Sequence, residues 1–254
     1  MNLLKEKLQN GEVVFGPFMK FSDPAAVEVA GFAGFDFVII DMEHGPITFE
    51  RAQDLVRAAE ARGITPVIRV PENKEIYIQR ALDIGAKAVQ VPQISNVQDA
   101  VNVARASKFF PEGARGACRY VKAANYSSTP KAEYFTQVNK DTMTIIHIEG
   151  LEGVSNLDKI VEVEGIDIIF LGPYDLSQSC GVPGQIDHPE VIKKMTEAVE
   201  LARKNGKVVG TFVESPEAVK KWAALGVQYL SYSVDVGIYL QACIKIVEDS
   251  KFVL

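Results

Sequence analysis

Cysteine is scarce in this chain: only Cys118, Cys180 and Cys243 occur among 254 residues. They are odd in number, scattered and never in a CxxC spacing, so they fit reduced thiols rather than a disulfide framework. No stretch approaches the ~18 uninterrupted apolar residues that a membrane span requires. The N-terminal MNLLKEKLQNGE is polar and charged, without the apolar run of a secretion signal. The cytoplasm is therefore the expected location, with no membrane partner. A clustered basic face is also missing and the formal charge is −6, which argues against a nucleic-acid partner. Linkers and low-complexity segments are absent, so residues 1–254 are expected to form a single domain.

What is present is ordinary globular composition, 47% hydrophobic and 24% charged, enough for a well-buried core. Short β-rich runs alternate with amphipathic stretches. Strands are expected at Val13–Met19, Asp36–Ile40, Thr65–Val70, Lys87–Val91, Thr142–Ile148, Ile166–Leu171, Lys207–Phe212 and Val227–Tyr232. The helices between and after them are Asp23–Gly34, Thr48–Arg62, Lys74–Ile84, Asn96–Ser107, Pro130–Asn139, Gly153–Val161, Pro189–Asn205, Pro216–Leu225 and Val236–Glu248. Lys108–Thr129 reads as irregular.

The strand runs are nearly continuous Val, Ile and Phe, the pattern of parallel strands buried on both faces. Gly34, Gly63, Gly85, Gly165, Gly206 and Gly226 each stand where a helix must end in a left-handed turn before the next strand. Eight such units in this length predict a (β/α)₈ barrel. The alternative, a doubly wound open sheet, usually has fewer strands and often a Gly-rich first turn, which is missing here.

In such a barrel the chemistry sits on the loops after the C-terminal strand ends. Those loops carry Asp41-Met42-Glu43-His44, then Arg69, then His147-Ile148-Glu149, then Gly172-Pro173-Tyr174-Asp175. Glu149 and Asp175 follow apolar strands, where a bare carboxylate is costly to bury unless paired or metal-bound. Two carboxylates plus waters form a hard-oxygen site of the kind that Mg²⁺ or Mn²⁺ prefers. The plainer reading is helix capping or an ion pair for each. His44, three residues after Asp41, is a candidate proton acceptor; as an isolated feature it reads sooner as a hydrogen-bonded loop histidine. Arg69 is positioned to stabilise a developing oxyanion or to form an ion pair with Asp41 or Glu43. His147 shares a strand face with Glu149 and reads as a third ligand, a supporting group or a core residue, with the supporting role favoured. His188 precedes a helix and reads as a cap. Lys20 and Lys87 lie near strand ends without the buried context of a Schiff-base lysine.

At these residues the chain resembles a known family. GFDFVIIDMEHGP (Gly34–Pro46) is similar to the strand-two motif of the HpcH/HpaI aldolases, GFDW-hydrophobic-DxEH. The resemblance continues through PVIRVPEN (Pro66–Asn73), LDIGAKAVQVPQI (Leu82–Ile94), FFPEGARG (Phe109–Gly116), IEG (Ile148–Gly150), FLGPYDLS (Phe170–Ser177) and DHPEV (Asp187–Val191). It implies a metal-dependent class II aldolase that cleaves a 4-hydroxy-2-oxo acid to pyruvate and an aldehyde, using Mg²⁺, Mn²⁺ or Co²⁺. The family's metal ligands match Glu149 and Asp175. Its catalytic histidine–aspartate pair matches His44 and Asp41, and the arginine on the pyruvate oxygen matches Arg69. An acidic residue near the barrel mouth matches Asp83. Gly172, Pro173 and His147 fall where the substrate would bind. The resemblance further implies a homo-oligomer, a trimer of dimers whose last helix packs on a neighbouring subunit. The chain departs from the best-known aldolases in having His147 where they have glutamine, and in Arg115–Ser128. Two other readings share much of this pattern: a lyase acting on CoA thioesters, of the citrate lyase or malyl-CoA lyase type, and a non-catalytic barrel that binds a keto acid.

Overall fold

The computed structural model describes residues 2–251. A short helix, α1 (Leu3–Gln9), precedes the alternating elements β1 (Val14–Met19), α2 (Pro24–Phe32), β2 (Phe37–Asp41), α3 (Phe49–Arg62), β3 (Thr65–Arg69), α4 (Glu75–Asp83), β4 (Ala88–Val91) and α5 (Val97–Ser107). A 3₁₀ segment (Lys122–Ser127) then leads to α6 (Lys131–Asp141), β5 (Met143–Ile148), α7 (Leu151–Ser155), α8 (Leu157–Ile160), β6 (Ile168–Leu171), α9 (Pro173–Ser179) and α10 (Pro189–Lys204). The last elements are β7 (Val208–Val213), α11 (Pro216–Ala224), β8 (Tyr229–Val234) and α12 (Asp235–Lys251). The strands pair in sequence order, all parallel, and β1 pairs with β8 to close the barrel.

Strand periodicity sorts the side chains. Phe37 and Ile39, Val67, Ala88, Met143 and Ile145, Ile168 and Phe170 fill the barrel's interior. Their neighbours Val38, Ile40, Ile68, Val89, Ile146 and Ile169 pack outward against the helices. Continuing the inward rows by two residues delivers Asp41, Arg69, Gln90, His147 and Glu149 toward the upper interior. Lower down, Phe37 stacks on Tyr229 with centroids 4.2 Å apart. Gly16 makes room for this layer, because a Cβ there would stand 2.2 Å from the Phe37 carbonyl oxygen.

Each glycine expected in a left-handed turn has positive φ, from 73° at Gly63 to 104° at Gly85. Thr48 caps α3 through the Arg51 N–H, and His188 caps α10 through the Glu190 N–H. The structure adds α1 and α9, which the sequence reading left unassigned. It also divides the expected helix Gly153–Val161 at Asn156, whose side-chain amide donates to the Ser95 carbonyl at 2.9 Å. No helix among the described residues is long and apolar enough to cross a membrane.

Candidate active site

A cavity of about 410 Å³ opens at the C-terminal ends of the strands. It is lined by Asp41, His44, Arg69, His147, Glu149, Gly172, Pro173 and Asp175, all expected from the sequence, and also by Lys20, Tyr174 and Glu214. Phe18, Phe170 and Phe212 form its apolar floor and wall.

Arg69 ends β3 directly beside Asp41 of β2 in the sheet register. Its Nε donates to Asp41 Oδ1 at 2.9 Å, Nη2 lies 2.9 Å from Asp41 Oδ2, and Nη1 lies 3.0 Å from Glu43 Oε2. The guanidinium also stacks over Phe18, 4.5 Å from the ring centroid. Burial pushes the Asp41 carboxyl up, but the hydrogen bond and charge of Arg69 outweigh it and hold the group below the usual carboxylate range. Glu43 shifts the other way: burial and the nearby Glu149 raise it, against the pull of Arg69. The ion-pair reading of Arg69 therefore holds for both partners. A guanidinium has five N–H donors, so these contacts leave others for a ligand in the cavity that Arg69 lines.

The expected Asp41–His44 pairing takes a different form. Asp41 Oδ1 accepts the backbone N–H groups of Glu43 and His44 at 3.1 and 3.2 Å, and no hydrogen bond joins it to the His44 ring. The carboxylate beside the ring is Glu43, with Oε2 4.0 Å from His44 Nε2. Asp41 lies at the end of a buried strand, so it serves the turn and Arg69 while the ring stands outward, exposed to the cavity.

Glu149, 7% exposed, is held on both oxygens. Oε1 accepts the Gln93 N–H at 2.7 Å, and Oε2 lies 3.0 Å from His147 Nδ1. Burial acts to raise its pKa, but His147 and the Gln93 N–H more than offset this and lower it. Gly172 admits this side chain, since a Cβ there would lie 2.8 Å from Glu149 Oε2. Asp175 stands in the first turn of α9, exposed, on the same cavity. Among the described residues no three His, Cys, Asp or Glu side chains are grouped as a metal cage. The protein offers two carboxylates, a donor set that fits a hard divalent cation completing its shell with water and substrate oxygens.

Two expectations are corrected. Asp83 is not at the mouth of its own barrel. It ends α4, which runs back toward the start of β4, and there its carboxylate takes a 2.6 Å hydrogen bond from Arg115. His147 is not free to contact substrate through nitrogen: Nδ1 faces Glu149, and Nε2 lies 2.5 Å from the Gln90 amide nitrogen. Lys20, Tyr174 and Glu214 were missed as site residues. The rule that singles out strand ends would have found Lys20 and Glu214 after β1 and β7. Lys20 Nζ lies 3.9 Å from Asp41 Oδ2, and Tyr174 donates its hydroxyl to Glu214 at 2.6 Å. That bond, with burial, pushes the Tyr174 phenol up to about 12.

A closed parallel barrel holding carboxylates, an arginine and a histidine in one cavity at its strand ends defines an enzyme of the (β/α)₈ class. Residues 15–242 match the HpcH/HpaI aldolase/citrate lyase family, and the chain belongs to it. A 5-keto-4-deoxy-D-glucarate aldolase of Enterobacter sp. (strain 638) is 32% identical over 250 residues, covering 98% of this chain and 97% of that protein. A 2-keto-3-deoxy-L-rhamnonate aldolase of Shigella sonnei (strain Ss046) is 33% identical, covering 95% and 90%. The crystal structure of a citrate synthase, SbnG, matches with a TM-score of 0.90 at 33% identity, covering 98% and 97%. The chain is an aldolase-type carbon–carbon lyase.

Proposed function

We propose that this chain is a divalent-metal-dependent aldolase that reversibly cleaves a 4-hydroxy-2-oxo acid into pyruvate and an aldehyde through the enolate of pyruvate. The observation that carries the reading is the shared cavity of Glu149, Asp175, Arg69 and His44. Glu149 and Asp175 would hold Mg²⁺, Mn²⁺ or Co²⁺. When bound, such an ion supplies Lewis-acid polarisation of the 2-oxo group. Arg69, pinned by Asp41 and Glu43, directs its remaining N–H donors at the oxygen that becomes negative. His44, beside Glu43, moves the proton. In cleavage it takes the C4 hydroxyl proton as the C3–C4 bond breaks, and in the pyruvate half-reaction it removes a methyl proton. Gly172 and Pro173, at the N-terminus of α9, lie where the substrate carboxylate would sit.

Exchange of pyruvate methyl protons in D₂O tests this directly. Exchange is expected only with a divalent metal present, and to be lost in Glu149→Ala, Asp175→Ala and His44→Ala. Exchange that survives exhaustive EDTA treatment would overturn the reading. The likeness to a citrate synthase supports a second reading, bond formation from a CoA thioester at the same cavity; turnover of acyl-CoA without aldehyde chemistry would favour it.

The aldehyde and the 2-oxo acid are the small-molecule partners; nucleic acid and membrane are not. A cytoplasmic location is supported by cysteines that are free in the fold. A homo-oligomer, a trimer of dimers with α12 covered by a neighbouring subunit, is supported by the exposed apolar side chains of that helix, among them Tyr239, Leu240 and Ile246.

A further inference from the structure

We propose that Tyr229, Gln90 and His147 form a hydrogen-bond chain that positions the Glu149 carboxylate for its cation. This rests on the reading of Glu149 as a metal ligand. The chain crosses the barrel interior. The Tyr229 hydroxyl on β8 donates to Gln90 Oε1 on β4 at 3.1 Å. Gln90 Nε2 lies 2.5 Å from His147 Nε2 on β5, and His147 Nδ1 lies 3.0 Å from Glu149 Oε2. Tyr229 and Gln90 are completely buried and His147 is 1% exposed, so water does not compete for these bonds.

The direction follows from donor and acceptor chemistry. An ionised carboxylate only accepts, so His147 Nδ1 must donate. The Gln90 amide lies against His147 Nε2. The Gln90 carbonyl then faces Tyr229, whose O–H is its donor. Tyr229 is well suited to anchor the chain, because burial keeps its phenol protonated. Packing fixes both rings: His147 stacks on Phe170 with centroids 4.5 Å apart, and Tyr229 on Phe37 at 4.2 Å.

The consequence is orientation. His147 occupies one lone-pair direction of Glu149 Oε2, and the Gln93 N–H occupies one on Oε1, so the remaining directions are set before any ion arrives. His147 is thus a positioning residue, and Tyr229, outside the cavity lining, controls the site through two intervening side chains.

Mn²⁺ titration followed by electron paramagnetic resonance tests the chain. His147→Leu is expected to weaken Mn²⁺ binding by about 10–100-fold, the usual effect of losing the hydrogen-bond partner of a ligand, and Tyr229→Phe to weaken it by a smaller factor. His147→Gln should bind close to wild type, because its amide supplies an N–H to Glu149 and a carbonyl to Gln90. Wild-type affinity in both Tyr229→Phe and His147→Leu would overturn the proposal, as would His147→Gln binding as weakly as His147→Leu. Wild type that fails to bind Mn²⁺, or Glu149→Gln that binds as well as wild type, would instead remove the functional reading on which the chain depends.

Discussion

Arg69 joins stability to chemistry at the level of single side chains. It satisfies Asp41 and Glu43, both buried carboxylates, and it lines the cavity. Arg69→Ala should therefore lose turnover by about 10²–10³-fold, the cost of one oxyanion contact. It should also lose about 3 kcal/mol of stability, because breaking a buried pair leaves charge uncompensated. Steady-state kinetics and urea unfolding measure the two separately. The pH dependence has two windows of opposite sign. Asp41 lies below its ordinary 3.8, so its contribution is present above that value and is lost as pH falls through its lower folded value. Glu43 lies above its ordinary 4.5, so its protonated form favours the fold, and that contribution is lost as pH rises through the folded value. Below pH 3.8 the two separate, and stability there should fall less steeply in Asp41→Asn than in wild type.

At the scale of the element, β6 and α9 work as one device. Gly172 begins α9 without a side chain, which lets Glu149 of the preceding β5 loop lie against it. Gly172→Ala should keep its far-UV circular dichroism while weakening Mn²⁺ binding by about tenfold or more, because the new methyl displaces Glu149, the proposed cation ligand. Asp235 has a matching role at the start of α12. Its carboxylate accepts the backbone N–H groups of Lys20 and Phe21 and so ties down the loop after β1 that bears Lys20. Asp235→Ala leaves those N–H groups unpaired and should cost about 1–3 kcal/mol in urea unfolding.

For the whole molecule, the decisive surface is α12. Tyr239, Leu240, Ile246 and Val247 are each at least half exposed, while among the described side chains of the helix only Asp235 is buried. A helix with that much apolar surface is stable in water when a second surface covers it. Light scattering should give a mass that is a multiple of the 27.8 kDa chain, and Tyr239→Asp with Ile246→Asp should lower it. A monomer at micromolar concentration would contradict the assembly.

The barrel was legible because its code is local. Buried parallel strands read as continuous apolar runs, and glycine marks the left-handed helix ends, as Gly63 and Gly85 do. Period-two alternation tells which residues continue the inward rows, so Asp41, Arg69, His147 and Glu149 could be assigned to the interior from β2, β3 and β5 alone. Their partners could not. Asp83 resembled a mouth residue but belongs to the far end of α4, and the carboxylate beside His44 is Glu43 rather than Asp41. Gln90 and Tyr229 are 139 positions apart and meet only across the closed barrel. The chain's own sequence determines the direction in which each side chain leaves its strand, because backbone pleat and chirality do so residue by residue. Distances between the ends of different strands depend on closure and stagger of the whole sheet, which all eight strands set together. Tertiary structure alone therefore decided which carboxylate faces which cation, and which hydrogen bond reaches Glu149.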